Sequence, residues 1–304
     1  MARSATSASK RSGTVTGVPF AIASDGVRIH YRVFGRADGE PLLMLHGLGT
    51  DNSGWLLQRR AFGAHYRCIA VDNRGTGRSD KPHGPYRLEQ MADDAAAVLA
   101  HAGVSSAHVM GASMGGVLAQ ILTVTRPELV RSLVLACTAC RMEPWRRELF
   151  ESWIETAQSR GMRAFSTHNL NWLIGPRSMR RMWPLAPVVA PFAIRAPVHG
   201  FVGQCRALLA VDEGWSARLA AIAVPTLVIV GSQDILTPVA DSELVASHIT
   251  GARLAVVRGG AHGFMVECSS TFNETVLSFL DDAATRRASR RRTFRVVGGT
   301  GSST

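Results

Sequence analysis

The strongest constraint in this chain is a rhythm of short apolar runs alternating with stretches of helical period. The runs are Phe20 to Ser24, Val27 to Phe34, Pro41 to Leu45, Cys68 to Val71, Ala107 to Met110, Leu133 to Ala136, Thr226 to Val230 and Leu254 to Val257. The first two flank Asp25-Gly26, a dipeptide suited to a tight hairpin because its glycine accepts positive φ. Each of the later six meets a Gly, Asp or Cys within two residues of its end, and a helical pattern or a loop follows. Short apolar runs without polar alternation fit strands buried on both faces, as in a parallel sheet. A hairpin followed by repeated β-α units predicts an α/β protein with a mostly parallel eight-stranded sheet, one antiparallel edge and flanking helices.

The rhythm stops between Arg141 and Leu219. That stretch carries helical patterns at Glu143 to Arg160, Met162 to Leu173, Arg177 to Arg181 and Phe201 to Val211, and five of the six tryptophans: Trp145, Trp153, Trp172, Trp183 and Trp215. A helical cap inserted between two sheet strands accounts for it. The expected division is a disordered basic segment at 1–17, a first core part at 18–140, the cap at 141–219, a second core part at 220–285 and a disordered Arg-rich tail at 286–304.

The net charge of +11 in 304 residues would suggest a nucleic-acid partner if it lay on the body. It does not. Arg3, Lys10 and Arg11, with Arg286, Arg287, Arg290, Arg291, Arg292 and Arg295, supply nine of the eleven charges from the two ends. The body is near neutral, so no nucleic-acid partner is expected, and the ends read as solvated segments. At 46% hydrophobic and 19% charged the chain is globular and long enough for a large core. Five scattered cysteines (Cys68, Cys137, Cys140, Cys205 and Cys268) form no disulfide framework and point to a reducing compartment. Residues 1–17 lack the apolar region of a signal peptide. Polar residues interrupt Ala95 to Thr125, and four prolines interrupt Trp183 to His199, so no transmembrane segment is expected and the reading is cytoplasmic. The sequence leaves homodimerisation open.

The chemistry is carried by three strand-end loops. Gly111-Ala112-Ser113-Met114-Gly115 lies between an apolar run and the helical pattern Gly116 to Leu122. Small flanking residues allow a sharp strand-to-helix turn that exposes the Ser113 hydroxyl, and the helix that starts there aims its first amides at developing negative charge. A serine hydroxyl needs a base, and the base needs an orienting acid. Asp234 follows the run Thr226 to Val230, and His262 follows Leu254 to Val257. The three residues therefore share the C-terminal edge of the sheet, where open α/β sheets place their sites. Gly47 and Gly49 hold open the backbone at Leu48, after the third run. The amides of Leu48 and Met114 are the expected oxyanion donors. Gly47, Trp55, Trp172 and Phe264 are the expected substrate-binding positions, although Trp55 and the cap tryptophans could equally fill the seam between cap and core.

With these motifs the chain resembles the α/β-hydrolase superfamily, over nearly all of Val18 to Asp282. His46-Gly47-Leu48-Gly49 looks like the family's oxyanion motif, Asp72 to Asp80 like its loop after the fourth strand, and Gly111 to Gly116 like its nucleophile elbow. The stretch from Ser113 through Ala139 is similar to the enol-lactone hydrolase and esterase branch. The resemblance implies an α/β-hydrolase fold, Asp234 rather than Glu143 as the acid, and a serine rather than an aspartate nucleophile. The stretch Leu185 to Ala196 departs from the lactonase pattern by its length and prolines.

The resulting expectation is a serine hydrolase of a small-molecule carboxylic ester or lactone, with no cofactor or metal implied. The rival readings are a C–C bond hydrolase of a ring-fission diketone using the same triad and a non-catalytic ligand receptor. The remaining signals read as structural: His46 as a buried histidine, Asp72 and Arg74 as a loop scaffold, and Cys137 and Cys140 as small core residues.

Overall fold

In the computed structural model, which describes residues 19–182, 194–212 and 214–295, all eight apolar runs become strands of one sheet. These are β1 (Phe20–Ile22), β2 (Arg28–Gly35), β3 (Glu40–Leu45), β4 (Tyr66–Val71), β5 (Ala107–Ala112), β6 (Val130–Ala136), β7 (Thr226–Gly231) and β8 (Arg253–Val257). They lie in the order β1-β2-β4-β3-β5-β6-β7-β8. Only β2 runs against its neighbours; the pairs from β4 to β8 are parallel. The hairpin from β1 to β2 turns at Gly26, whose φ is 83°. The helices are α1 (Arg59–Gly63), α2 (Leu88–His101), α3 (Met114–Thr125), α4 (Pro144–His168), α5 (Pro176–Met182), α6 (Val198–Leu209), α7 (Trp215–Arg218), α8 (Val239–His248), α9 (Phe264–Glu267) and α10 (Ser269–Arg295).

Alternation along the central strands builds two apolar layers. Leu43 and Leu45 of β3 join Val109, Leu133, Leu135 and Val228 on the side covered by α2 and α3. Leu42 and Met44 join Met110, Val134, Ala136 and Ile229 on the side covered by Phe62 of α1 and by Phe272, Val276, Phe279 and Leu280 of α10. Each fully buried Leu or Ile side chain is worth about 1.5–3 kcal/mol. Helices on both faces are why these runs show no polar alternation. The last run departs from that rule. β8 has one neighbour, and Leu254 and Val256 are 39% and 47% exposed.

Between β6 and β7 the described residues contain helices and no strand. α4 is broken at Gly161, where φ 77° and ψ 167° leave the helical region. Nothing stands within 4 Å of a Cβ built there. The backbone turn, not crowding, therefore asks for glycine. Residues 183–193, with most of the Leu185 to Ala196 stretch, lie outside the described residues, as do 1–18. At the other end α10 runs to Arg295, ten residues into the tail expected to be disordered from 286. Its first half is anchored by buried apolar residues, and arginine and alanine propagate a helix already nucleated. Residues 296–304 lie outside the described residues. Among the described residues no helix is long and apolar enough to cross a membrane.

Candidate active site

Ser113 sits between the last residue of β5 and the first of α3, at φ 54° and ψ −121°. A non-glycine residue there carries strain of about 1–3 kcal/mol, which the surroundings must hold in place. They do so by contact. Ser113 N–H donates to Ala136 O at 2.9 Å, and Thr138 Oγ1 donates to Ser113 O at 2.9 Å. A Cβ on Gly115 would stand 2.2 Å from Leu45 O, so only glycine lets α3 start this close to β3. The turn aims the hydroxyl at the imidazole: Ser113 Oγ lies 3.0 Å from His262 Nε2.

His262 and Asp234 come from the loops after β8 and β7. His262 Nδ1 lies 2.9 Å from Asp234 Oδ2. Asp234 Oδ1 accepts the N–H groups of Leu236 and Thr237, each at 2.9 Å, and Oδ2 accepts the Thr237 hydroxyl at 2.8 Å. Three donors hold the carboxylate before the histidine is counted. Thr237 Oγ1 also lies 3.2 Å from His262 Nδ1, so the hydroxyl touches both side chains. The two loops are locked to each other, with Gln233 N–H donating to Gly260 O at 2.8 Å.

Cys137 follows β6 at φ 39°, and its sulfur lies within 4.8 Å of the Asp234 and His262 ligand atoms. The trio has the makings of a metal cluster on distance alone. Yet His262 has both ring nitrogens engaged, and burial pushes the Cys137 thiol well above its usual range. A protonated thiol is a poor ligand, and Cys137 fits the role of a small neighbour to the site.

The loop after β3 is fixed from several sides. Asn73 Nδ2 donates to His46 O at 2.9 Å, Gly49 N–H to Gln204 Oε1 of α6 at 2.7 Å, and Arg195 N–H to Gly49 O at 2.7 Å. Among the described residues no hydrogen bond takes up the amide of Leu48 or of Met114, the first residue of α3. Behind this loop Asp72 Oδ1 accepts from Asn52 N and Nδ2 at 2.7 Å each, while Oδ2 lies 2.7 Å from His30 Nδ1 and accepts Arg78 N–H at 2.9 Å. Burial acts to raise the Asp72 carboxyl, but these bonds outweigh it and hold it below the usual carboxylate range. Arg74 is bound to Asp94 and Asp25. Both residues serve as scaffold.

A cavity of about 480 Å³ opens on Ser113, within the range of small-ligand pockets. The core contributes His46, Gly47, Leu48, Ala112, Ser113 and His262. The cap contributes an aromatic wall of Phe150, Trp153, Phe165 and Phe201. Of the expected substrate-binding positions, Gly47 borders the cavity, and a Cβ there would stand 3.1 Å from Ser113 Cβ. The other three do not border this cavity. Trp55 and Phe264 are fully buried in the layer beneath, Trp55 edge-on to His46 at 4.8 Å and Phe264 edge-on to Phe272 at 5.5 Å. Trp172 stands behind the wall, edge-on to Trp153 at 6.4 Å and stacked on Trp145. Large aromatic side chains fill whichever gap is nearest, and their sequence position does not reveal which. Of the residues that sequence reading missed, only the i, i+3 spacing of Phe150 and Trp153 left a signal, marking one face of α4.

A family model described as the alpha/beta hydrolase fold matches residues 40–267. The chain is 33% identical over 264 residues to "Putative carbamate hydrolase RutD" of Azorhizobium caulinodans, covering 86% of this chain and 98% of that protein. It is 29% identical over 255 residues to 3-oxoadipate enol-lactonase 2 of Acinetobacter baylyi, covering 84% and 94%. Among solved structures it is similar to the enol-lactonase from Burkholderia xenovorans LB400, with a TM-score of 0.80 and 28% identity over 86% of this chain and all of that one.

Proposed function

The chain belongs to the alpha/beta hydrolase fold family and is a hydrolase, and on that premise we propose that it cleaves a carboxylic ester or lactone through an acyl-enzyme on Ser113. The observation that carries this reading is the continuous hydrogen-bonded line from Asp234 through His262 to Ser113, ending at the floor of an apolar cavity. His262 Nε2 takes the Ser113 proton as Oγ attacks the carbonyl carbon. The imidazolium that forms is stabilised by Asp234, whose own three donors hold it in place. The amides of Leu48 and Met114 receive the oxyanion, the second aided by the N-terminal end of α3. His262 then protonates the leaving oxygen, and water repeats the sequence on the acyl-enzyme.

The relatives are named for a carbamate and for an enol lactone; the carbonyl carbon of the first bears a nitrogen where that of the second bears a carbon. The aromatic and aliphatic wall supports an apolar acyl group here, and an ester or lactone is the acyl donor that fits it. The test begins with Ser113→Ala, expected to lower hydrolysis of a short aryl ester at least roughly a thousandfold. A fluorophosphonate should label the wild-type chain at Ser113 and leave the variant unlabelled. Wild-type turnover by Ser113→Ala, or an adduct on another residue, would end this reading.

A further inference from the structure

One carboxylate beside the base has no part in the reaction as described. Glu267 ends the short helix α9, and it borders the cavity. Its Oε2 accepts the N–H of Ala261, the residue before His262, at 2.9 Å. Its Oε1 accepts the N–H of Gly175, a cap residue 92 positions earlier in the chain, also at 2.9 Å. On the other side of the imidazole, Gly263 N–H donates to the cap carbonyl of Leu173 at 2.6 Å. The cap segment 173–175 is thus fastened to the residues on both sides of His262.

The seam closes at backbone distance. A Cβ on Gly263 would stand 2.9 Å from Leu173 O, and one on Gly175 would stand 3.3 Å from Glu267 Oε1 and 3.4 Å from Ala261 Cβ. Among the described residues the hydrogen bonds of the Glu267 carboxylate come from these two amides. Amide bonds to a carboxylate are roughly twice as strong as those between neutral groups.

We propose that Glu267 is a positioning residue that sets the His262 imidazole between Asp234 and Ser113 by tying its loop to the cap. The proposal rests on the reading of His262 as the base. A displaced base weakens proton transfer without removing the pocket, so the effect falls on kcat and not on KM. A shift of 1 Å in such a group can lower the rate about a hundredfold.

The test compares Glu267→Gln, Glu267→Ala and Ser113→Ala with the wild-type full chain on a short aryl ester, together with amide hydrogen exchange. Gln keeps one acceptor oxygen and turns an NH2 group toward the other amide, so kcat should fall about tenfold with KM within about twofold. Ala loses both bonds, and kcat should fall about a hundredfold. Exchange should quicken in both 173–175 and 261–263. A folded Glu267→Ala with kcat within twofold of wild type overturns the proposal. So does a rise in KM alone, or faster exchange in only one of the two segments. Should the Ala variant not fold, the kcat and exchange of the Gln variant decide by the same criteria. An active Ser113→Ala would defeat the triad itself, whereas an inactive Ser113→Ala beside a fully active Glu267→Ala would defeat the clamp alone.

Discussion

His46 shows what a single residue in this site does to the whole chain's response to pH. It follows β3 and lies against Gly54 and Trp55. Burial, and then the charge of nearby His262, push its pKa from the usual 6.5 down to about 4. Between those values the unfolded chain binds a proton that the folded chain refuses. Stability therefore rises with pH across that window. It is complete above about pH 6.5, falls by on the order of 3 kcal/mol as pH drops toward 4, and levels off below. His46→Gln should flatten this stretch in urea unfolding followed from pH 4 to 7, and an unchanged slope would assign the effect to another group. His46 is half-buried and borders the cavity, less enclosed than the buried structural residue expected from the sequence. Ser113, Asp234 and His262 were legible because each stands just past a strand end, where the backbone fixes direction. Thr237 and Glu267 were not, because each has one partner nearby in the chain and one far away: Thr237 reaches His262 as well as Asp234, Glu267 reaches Gly175 as well as Ala261, and sequence spacing does not relate the distant pairs.

At the scale of elements, α4 is tied to the acid loop by one arginine. Arg146 and Asp241 of α8 form an ion pair whose side chains are 4% and 8% exposed. Arg146 Nε also donates to Leu236 O at 2.9 Å, within the loop that holds Asp234. Burial pushes the Asp241 carboxyl above its usual range, and the guanidinium works against that shift. Arg146→Met strands a buried carboxyl and should lower stability by about 3–5 kcal/mol in chemical denaturation. Arg146→Met combined with Asp241→Leu leaves neither charge behind and should recover most of the loss. A double variant as unstable as the single would place the cost elsewhere. The strands and the break of α4 between Arg160 and Met162 could be read from apolar runs and a glycine. The reach of α10 to Arg295 could not, since a charged, Arg-rich segment has the same composition whether it is a solvated coil or the end of a helix nucleated elsewhere.

For the whole molecule, the core carries Ser113, Asp234 and His262, and the cap supplies the aromatic wall of the cavity. The two parts should therefore be separable by experiment. Burying a methylene is worth about 0.8 kcal/mol, close to fourfold in an equilibrium or rate ratio. If the acyl group lies along Phe150, Trp153, Phe165 and Phe201, kcat/KM on straight-chain aryl esters should climb toward about fourfold per added carbon until the cavity is filled, then fall. Phe165 is the substitution that reads this out. It is buried in the cap wall, 4.5 Å from Phe201 and 5.6 Å from Trp153 between ring centres. Phe165→Ala enlarges the wall at about 3–5 kcal/mol of stability. It should move the preferred acyl chain about two carbons longer. The rate of Ser113 modification by a small fluorophosphonate, which needs only the core groups, should stay within about twofold. An unmoved optimum would place the acyl group away from the cap. A parallel loss of labelling would mean that the cap wall and the core chemistry are one unit, and that specificity in this chain cannot be changed without changing reactivity.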